Sequence, residues 1–135
     1  MEIDCIDSTA KEIHQTAADH GFWDHERNMG EMLMLMTSEL AEALEEDRDG
    51  HAVVWFRHHP ECHGVHEFPM RVNIPGQPIC DPKPEGAAVE LIDCIIRCFD
   101  TAQFLLEDNL FSVGEVMAMK MAYNERRQHM HGKAY

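Results

Sequence analysis

Two stretches decide the fold: Ser38-Glu39-Leu40-Ala41-Glu42-Ala43-Leu44, and Glu90-Leu91-Ile92-Asp93-Cys94-Ile95-Ile96. Each places two acids three residues apart inside an apolar run. Residues at that spacing share one side of an α-helix. Two such helices packed together bring Glu39, Glu42, Glu90 and Asp93 to one place. Carboxylates do not gather in a packed interior without a compensating cation. Oxygen-only donors suit a hard ion such as Mg²⁺, with Mn²⁺ as a substitute. The first expectation is therefore a metal centre in a helical bundle.

Outward from the first pair, a helix is expected over Met29 to Arg48. At about 100° per residue, Leu33, Met36, Leu40 and Leu44 form one stripe, and Glu39, Glu42 and Glu46 form another beside it. Glu45, Asp47 and Arg48 project elsewhere, as ordinary solvated charges. The second helix is expected from Glu85 to Glu107. On it Glu90, Asp93, Arg97 and Asp100 fall within about 80° of arc. Val89 and Ile96 flank them on one side, and Leu91, Cys94, Ile95, Cys98, Phe99, Ala102 and Leu105 cover the other. A surface helix keeps a much wider polar face. This one reads as buried nearly all round, with one functional row. The competing reading, two solvated faces with i,i+3 charge pairs, needs no metal.

Residues 4–19 carry Ile6, Ala10, Ile13 and Ala17 at helical spacing, and Gly21 ends that segment. Phe22 and Trp23 follow, as a hydrophobic plug at a connection. Asp49-Gly50 stops the first acidic helix. Ser112 with Glu115 reads as a capping box for a fourth helix over Val113–Gln128. Between the acidic helices, residues 51–84 hold all six prolines, so no long helix runs through them. This His/Pro-rich stretch is an irregular insertion with room for a small hairpin from Val53-Val54-Trp55-Phe56 and from Phe68 with Met70-Arg71-Val72. His58, His59, Cys62 and His63 are zinc-type donors without the regular spacing of a structural zinc site.

At 135 residues the chain is long enough for one domain, 1–135, with a sizeable core. Its net charge of −14 disfavours nucleic-acid backbone binding but not a single nucleotide held through a metal. No apolar run reaches the ~20 residues of a membrane span, and the acidic amino terminus lacks a signal-peptide pattern. The five cysteines, with no CxxC, fit small buried thiols in a reducing cytoplasm. The ten methionines fall largely in helical segments and read as core filler. Lys120, Asn124 and Arg127 share a face of the fourth helix, and Lys133 follows. The basic residues Lys120, Arg126, Arg127 and Lys133 are either cations at a helix C-terminus or an anion clamp for phosphates.

Ser38-Glu39-Leu40-Ala41-Glu42-Ala43 followed by Glu90-Leu91-Ile92-Asp93 resembles the ExxE…ExxD signature of the MazG-like all-α nucleoside triphosphate pyrophosphohydrolases. Lys83-Pro84-Glu85-Gly86 before the second acidic helix is similar as well. So is the tail, Lys120-Met121-Ala122-Tyr123-Asn124-Glu125-Arg126-Arg127 with His131-Gly132-Lys133, which looks like that of short single-domain members, many phage-encoded. The resemblance covers residues 20–50 and 83–133. It implies an all-α, four-helix bundle subunit that forms a homodimer or homotetramer, in the cytoplasm (the host's, if phage-encoded). It implies Mg²⁺-dependent hydrolysis of a (d)NTP to a nucleoside monophosphate and pyrophosphate. Glu39, Glu42, Glu90 and Asp93 would hold the metal, with Glu42 or Glu46 orienting the attacking water. Lys120, Asn124, Arg127 and Lys133 would contact phosphate or sugar, and Trp23 would lie near the base. Two features depart from the family: Ser38 stands where many members have Glu, and the gap 43–89 is longer than usual. Alternatives are a dedicated dUTP or dCTP pyrophosphatase, a phosphoribosyl-ATP hydrolase, a non-enzymatic acidic interaction protein, and a ferritin-type di-metal bundle. The last needs ExxH pairs that this chain lacks.

Overall fold

In a computed structural model the structure describes residues 2–58 and 82–127. The described residues are mostly helical, in the order α1 (Ile3–Asp19), α2 (Met29–Arg48), β1 (Trp55–Arg57), β2 (Lys83–Glu85), α3 (Ala87–Leu106) and α4 (Val113–Glu125). His59, Cys62, His63, His66, Cys80, the Phe68 and Met70–Val72 segments and the tail with His131 and Lys133 lie outside them. The chain divides into two compact units, one running to Leu33 and resuming at Ile95, the other spanning Met34–Cys94. Among the described residues, no helix is long and apolar enough to cross a membrane.

In the first unit α1 packs against α4. The capping box forms as the sequence predicts: Ser112 Oγ accepts from the Glu115 amide and Glu115 Oε2 from the Ser112 amide. The next amide of α4, that of Gly114, donates to Asp7 Oδ1 at 2.7 Å. An acid at the positive end of a helix is favourable, and this one satisfies an otherwise unbonded amide. Gly114 is needed there because a Cβ would stand 2.8 Å from Ile3 Cγ2 and the Ile3 carbonyl oxygen. A second reciprocal cap, Asn28 with Glu31, starts α2. It follows the pattern Asn-x-x-Glu, a signal the sequence held. Trp23 does plug a connection. It stacks on Phe104 with ring centroids 4.4 Å apart and donates its indole N–H to Asp100 Oδ1 at 3.0 Å. His14 Nδ1 meets the same oxygen at 2.6 Å.

In the second unit α2 ends at Gly50, whose φ of 70° is the left-handed conformation of a C-terminal glycine. The chain returns as an antiparallel ribbon, β1 with β2, in the register Trp55↔Glu85, Phe56↔Pro84 and Arg57↔Lys83. The Phe68 and Met70-Arg71-Val72 side of the expected hairpin lies outside the described residues. A short strand does form at Trp55–Arg57, near the expected Val53-Val54-Trp55-Phe56, but its partner is Lys83–Glu85. That costs α3 its first residues: the helix starts at Ala87, not Glu85. Pro84 lacks the amide a central strand would need, but a two-stranded edge tolerates it. Gly86 makes the turn from strand to helix at φ 114°, and a Cβ there would lie 2.7 Å from both the Ala52 and Val53 carbonyl oxygens.

One expectation is overturned. α3 is not buried nearly all round in the single chain. Leu91, Ile92, Ile95 and Ile96 are between 40% and 53% exposed, as are Leu40 at 50% and Leu44 at 53% on α2, now the C-terminal half of its stripe. Cys98 is exposed too, not a buried thiol. Among the described residues, buried apolar side chains come down to Ala10, Met32 and Val113. The periodicity fixes which face is apolar. It does not supply the element that covers it.

Candidate metal centre

Three of the four sequence-nominated acids converge. Glu39 and Glu42 stand on α2 and Glu90 on α3, each offering a carboxylate oxygen, all within 4.8 Å of one another. All belong to the Met34–Cys94 unit. Glu39 is 5% exposed and Glu90 4%, whereas Glu42 opens to solvent. The two buried acids form the floor and Glu42 the mouth. Asp93 is outside this triad and half-buried. Its charge still reaches Glu90.

The electrostatics are those of an acid cluster held together by packing. Burial first, then the charges of Glu42, Asp93 and Glu39, push the Glu90 carboxyl above its ordinary value, and the Lys83 ammonium opposes the rise. Each contribution from the acids is repulsive toward a second ionised carboxylate. A divalent cation among them would leave those repulsions in place but offset them with a stronger attraction to each carboxylate. The donor set is oxygen only, as Mg²⁺ and Mn²⁺ prefer. Three carboxylate oxygens that all lie within 4.8 Å of one another are near enough to be shared by one small divalent ion. The residues fit the ion.

Glu46, the third acid of the α2 row, is engaged elsewhere. Its Oε2 accepts from the Trp55 indole N–H at 2.7 Å and lies 3.0 Å from His51 Nδ1. The Trp55 bond is the main reason its carboxyl titrates below the ordinary value. Glu46 therefore ties the end of α2 to β1. Spacing along α2 could not show this, because the partner arrives from the insertion.

Of the remaining nominated residues, Trp23, Lys120, Asn124 and Arg127 belong to the other unit, and Lys133 lies outside the described residues. Trp23 is half-buried against Phe104 and Asp100. Lys120 and Arg127 both lie over the Tyr123 ring, at 5.1 and 5.7 Å from its centroid, and Asn124 is exposed beside them. Two arrangements had no sequence counterpart. His14 and Asp100 meet across 86 positions. Glu85, read from sequence as an acid at a helix start, is instead a strand residue only 4% exposed. Its Oε1 is approached by Lys83 Nζ at 3.1 Å and Arg57 Nε at 3.2 Å, as ion pairs without a well-aligned hydrogen bond.

Comparison with protein-family models, with curated proteins and with solved structures gives no match, so the resemblance to MazG-like enzymes rests on the quoted motifs.

Proposed function

We propose that the chain is a Mg²⁺-dependent nucleoside triphosphate pyrophosphohydrolase, converting a (d)NTP and water to a (d)NMP and pyrophosphate. The observation that carries this reading is the convergence of Glu39, Glu42 and Glu90 with two of the three buried. Solvated charge faces, the competing explanation, would leave all three in water. Glu39, Glu42 and Glu90 would hold the ion, with Asp93 beside them. When bound, Mg²⁺ supplies Lewis acidity and neutralises phosphate charge.

Hydrolysis of a phosphoanhydride needs positioning and electrostatic stabilisation more than a covalent nucleophile. The chain's own residues provide for that. Glu39 and Glu90 are themselves buried, which limits water at those two carboxylates. Glu42, the exposed member of the triad, would orient an attacking water and accept its proton. Glu46 anchors α2 through Trp55 and His51, so the catalytic part falls to Glu42. The phosphate, sugar and base contacts that the resemblance implies for Lys120, Asn124, Arg127 and Trp23 fall in the other unit, where Lys120, Asn124 and Arg127 are exposed and Trp23 already stacks on Phe104.

We also propose that the chain works as a homodimer or homotetramer. The support is the half-exposed apolar faces of α2 and α3 together with a very small core. Contiguous apolar surface of that kind marks an interface in a folded protein. A nucleotide substrate goes with a cytoplasmic location.

The test is a pyrophosphate-release screen over the eight common (d)NTPs with Mg²⁺. Release that requires the metal and is lost in Glu39→Gln is the expected result. Absence of release from every nucleotide rejects the assignment. Selective turnover of dUTP or dCTP alone narrows it to a dedicated enzyme.

A further inference from the structure

The β1–β2 ribbon carries a feature that the metal centre alone does not require. Trp55, Arg57, Lys83 and Glu85 occupy paired, alternate positions, so all four side chains stand on one face of the ribbon. The contacts agree. The Arg57 guanidinium lies over the Trp55 ring at 5.5 Å, and both cations reach the same oxygen of Glu85. Glu85 is buried, but Arg57 and Lys83 have side chains 63% and 68% exposed. Two exposed cations thus share one carboxylate, and their charges also reach Glu46 and Glu90. In a chain of net charge −14 this is an unusual place to spend two of eleven basic residues.

The ribbon is fixed to the helix that bears Glu90. The Ala88 amide donates to the Val53 carbonyl at 3.0 Å, and the Gly86 carbonyl accepts from Val89 at 2.8 Å and from Glu90 at 3.1 Å. Glu85 and the Glu90 backbone are therefore separated by one helical turn. The tie is also electrostatic. Lys83 is held above its ordinary value first by Glu85 and then, among others, by Glu90. An ammonium offers three donors and a guanidinium five, while Glu85 takes one nitrogen of each. That geometry suits a polyanion arriving with its metal, because a triphosphate carries more charge than one divalent ion neutralises.

We propose that Arg57 and Lys83, gathered by the buried Glu85, form a clamp beside the metal centre for the polyphosphate of the substrate or its pyrophosphate product. This rests on the functional reading above and adds two phosphate contacts from the insertion to it. Glu85 is a positioning residue. It touches the cations and aims them.

The experiment is a calorimetric titration of the full chain with inorganic tripolyphosphate in excess Mg²⁺, repeated for Arg57→Gln, Lys83→Gln, Lys83→Arg and Glu85→Gln. Each single glutamine variant at the cations leaves the other cation on Glu85, so folding is retained, as far-UV circular dichroism verifies. Loss of one charge-assisted contact is expected to weaken tripolyphosphate binding about tenfold in Arg57→Gln and Lys83→Gln. Lys83→Arg retains binding. Glu85→Gln weakens it less, because the cations remain but are no longer aimed. Mn²⁺ binding without phosphate stays equal or tightens in Lys83→Gln, since a repelling charge is gone. A merely structural pair would not move the two affinities in opposite directions. Wild-type affinity for tripolyphosphate in both cation variants overturns the clamp. So does a wild-type chain that binds Mn²⁺ but no tripolyphosphate. A clamp that depends on both cations in a protein releasing no pyrophosphate from any nucleotide leaves the clamp standing and rejects the enzymatic reading. A chain binding neither metal nor tripolyphosphate rejects both.

Discussion

Glu46 and Glu90 lie in the same compact unit and share a residue type, yet their surroundings differ in sign. Around Glu46 the neighbours are donors: the Trp55 indole, His51 and the Arg57 charge, all of which lower its pKa. Around Glu90 the main influences are burial and three further acids, all of which raise it. The first carboxylate is completed by the protein. The second is crowded by further acids, with the Lys83 ammonium opposing them. An acidic cluster held against its own repulsion is costly unless a bound ion offsets it.

The largest way to break this contrast is at the centre itself. Glu90→Gln is expected to reduce pyrophosphate release by about 100-fold or more, as loss of a metal-holding carboxylate does. The metal-free form should at the same time melt higher, because a buried repelling charge has gone. Glu46→Gln should do the reverse, keeping most turnover while losing some stability. Steady-state kinetics and thermal melts with a chelator check both. Equal effects in the two variants would erase the distinction.

Gly86 fixes how the ribbon and the Glu90 helix meet. Gly86→Ala combines a φ of 114° with a Cβ 2.7 Å from two carbonyl oxygens. It is expected to destabilise by about 3 kcal/mol. Urea denaturation measures it, and a loss below about 1 kcal/mol would mean the turn relaxes.

A smaller effect follows from titration. The Glu90 carboxyl is raised above its unfolded value of 4.5. Between that value and the folded one, the native state binds more protons than the unfolded chain, so stability falls as pH rises. The metal-free protein should therefore lose stability as pH climbs from 4.5 through the raised value, and Glu90→Gln should flatten that part of the curve. Glu46 acts with the opposite sign. Its lowered pKa contributes stability above 4.5 that is lost as pH falls through the folded value. Trp55→Phe removes the largest cause of that shift, and the acid limb of the melting curve should move only slightly toward higher pH. Thermal melts across pH 3–8 separate the two limbs.

How much of this was legible in the sequence follows from which interactions are local. Ser112 with Glu115, Gly50 at the end of α2 and the i,i+3 pairing of Glu39 with Glu42 are all set within one or two helical turns. Spacing reports them directly. Glu90 joining that pair required only that two acidic helices pack. What spacing could not report came from far along the chain. Trp55 captures Glu46, His14 finds Asp100, and Lys83 with Arg57 converts Glu85 from a helix-start acid into a buried strand residue. The apolar walls of α3 are a different case. Leu91, Ile92 and Ile95 mark a face that must be covered, but periodicity carries no information about whether another part of the same chain or a second copy covers it.

The most direct test is a Mn²⁺ titration of the wild-type chain, Glu90→Gln and Glu46→Gln, followed by electron paramagnetic resonance. Wild type and Glu46→Gln should each take up one tightly held ion that Mg²⁺ displaces, and Glu90→Gln should not. Equal uptake by Glu90→Gln, or no specific uptake by the wild type, would contradict a metal centre at Glu39, Glu42 and Glu90.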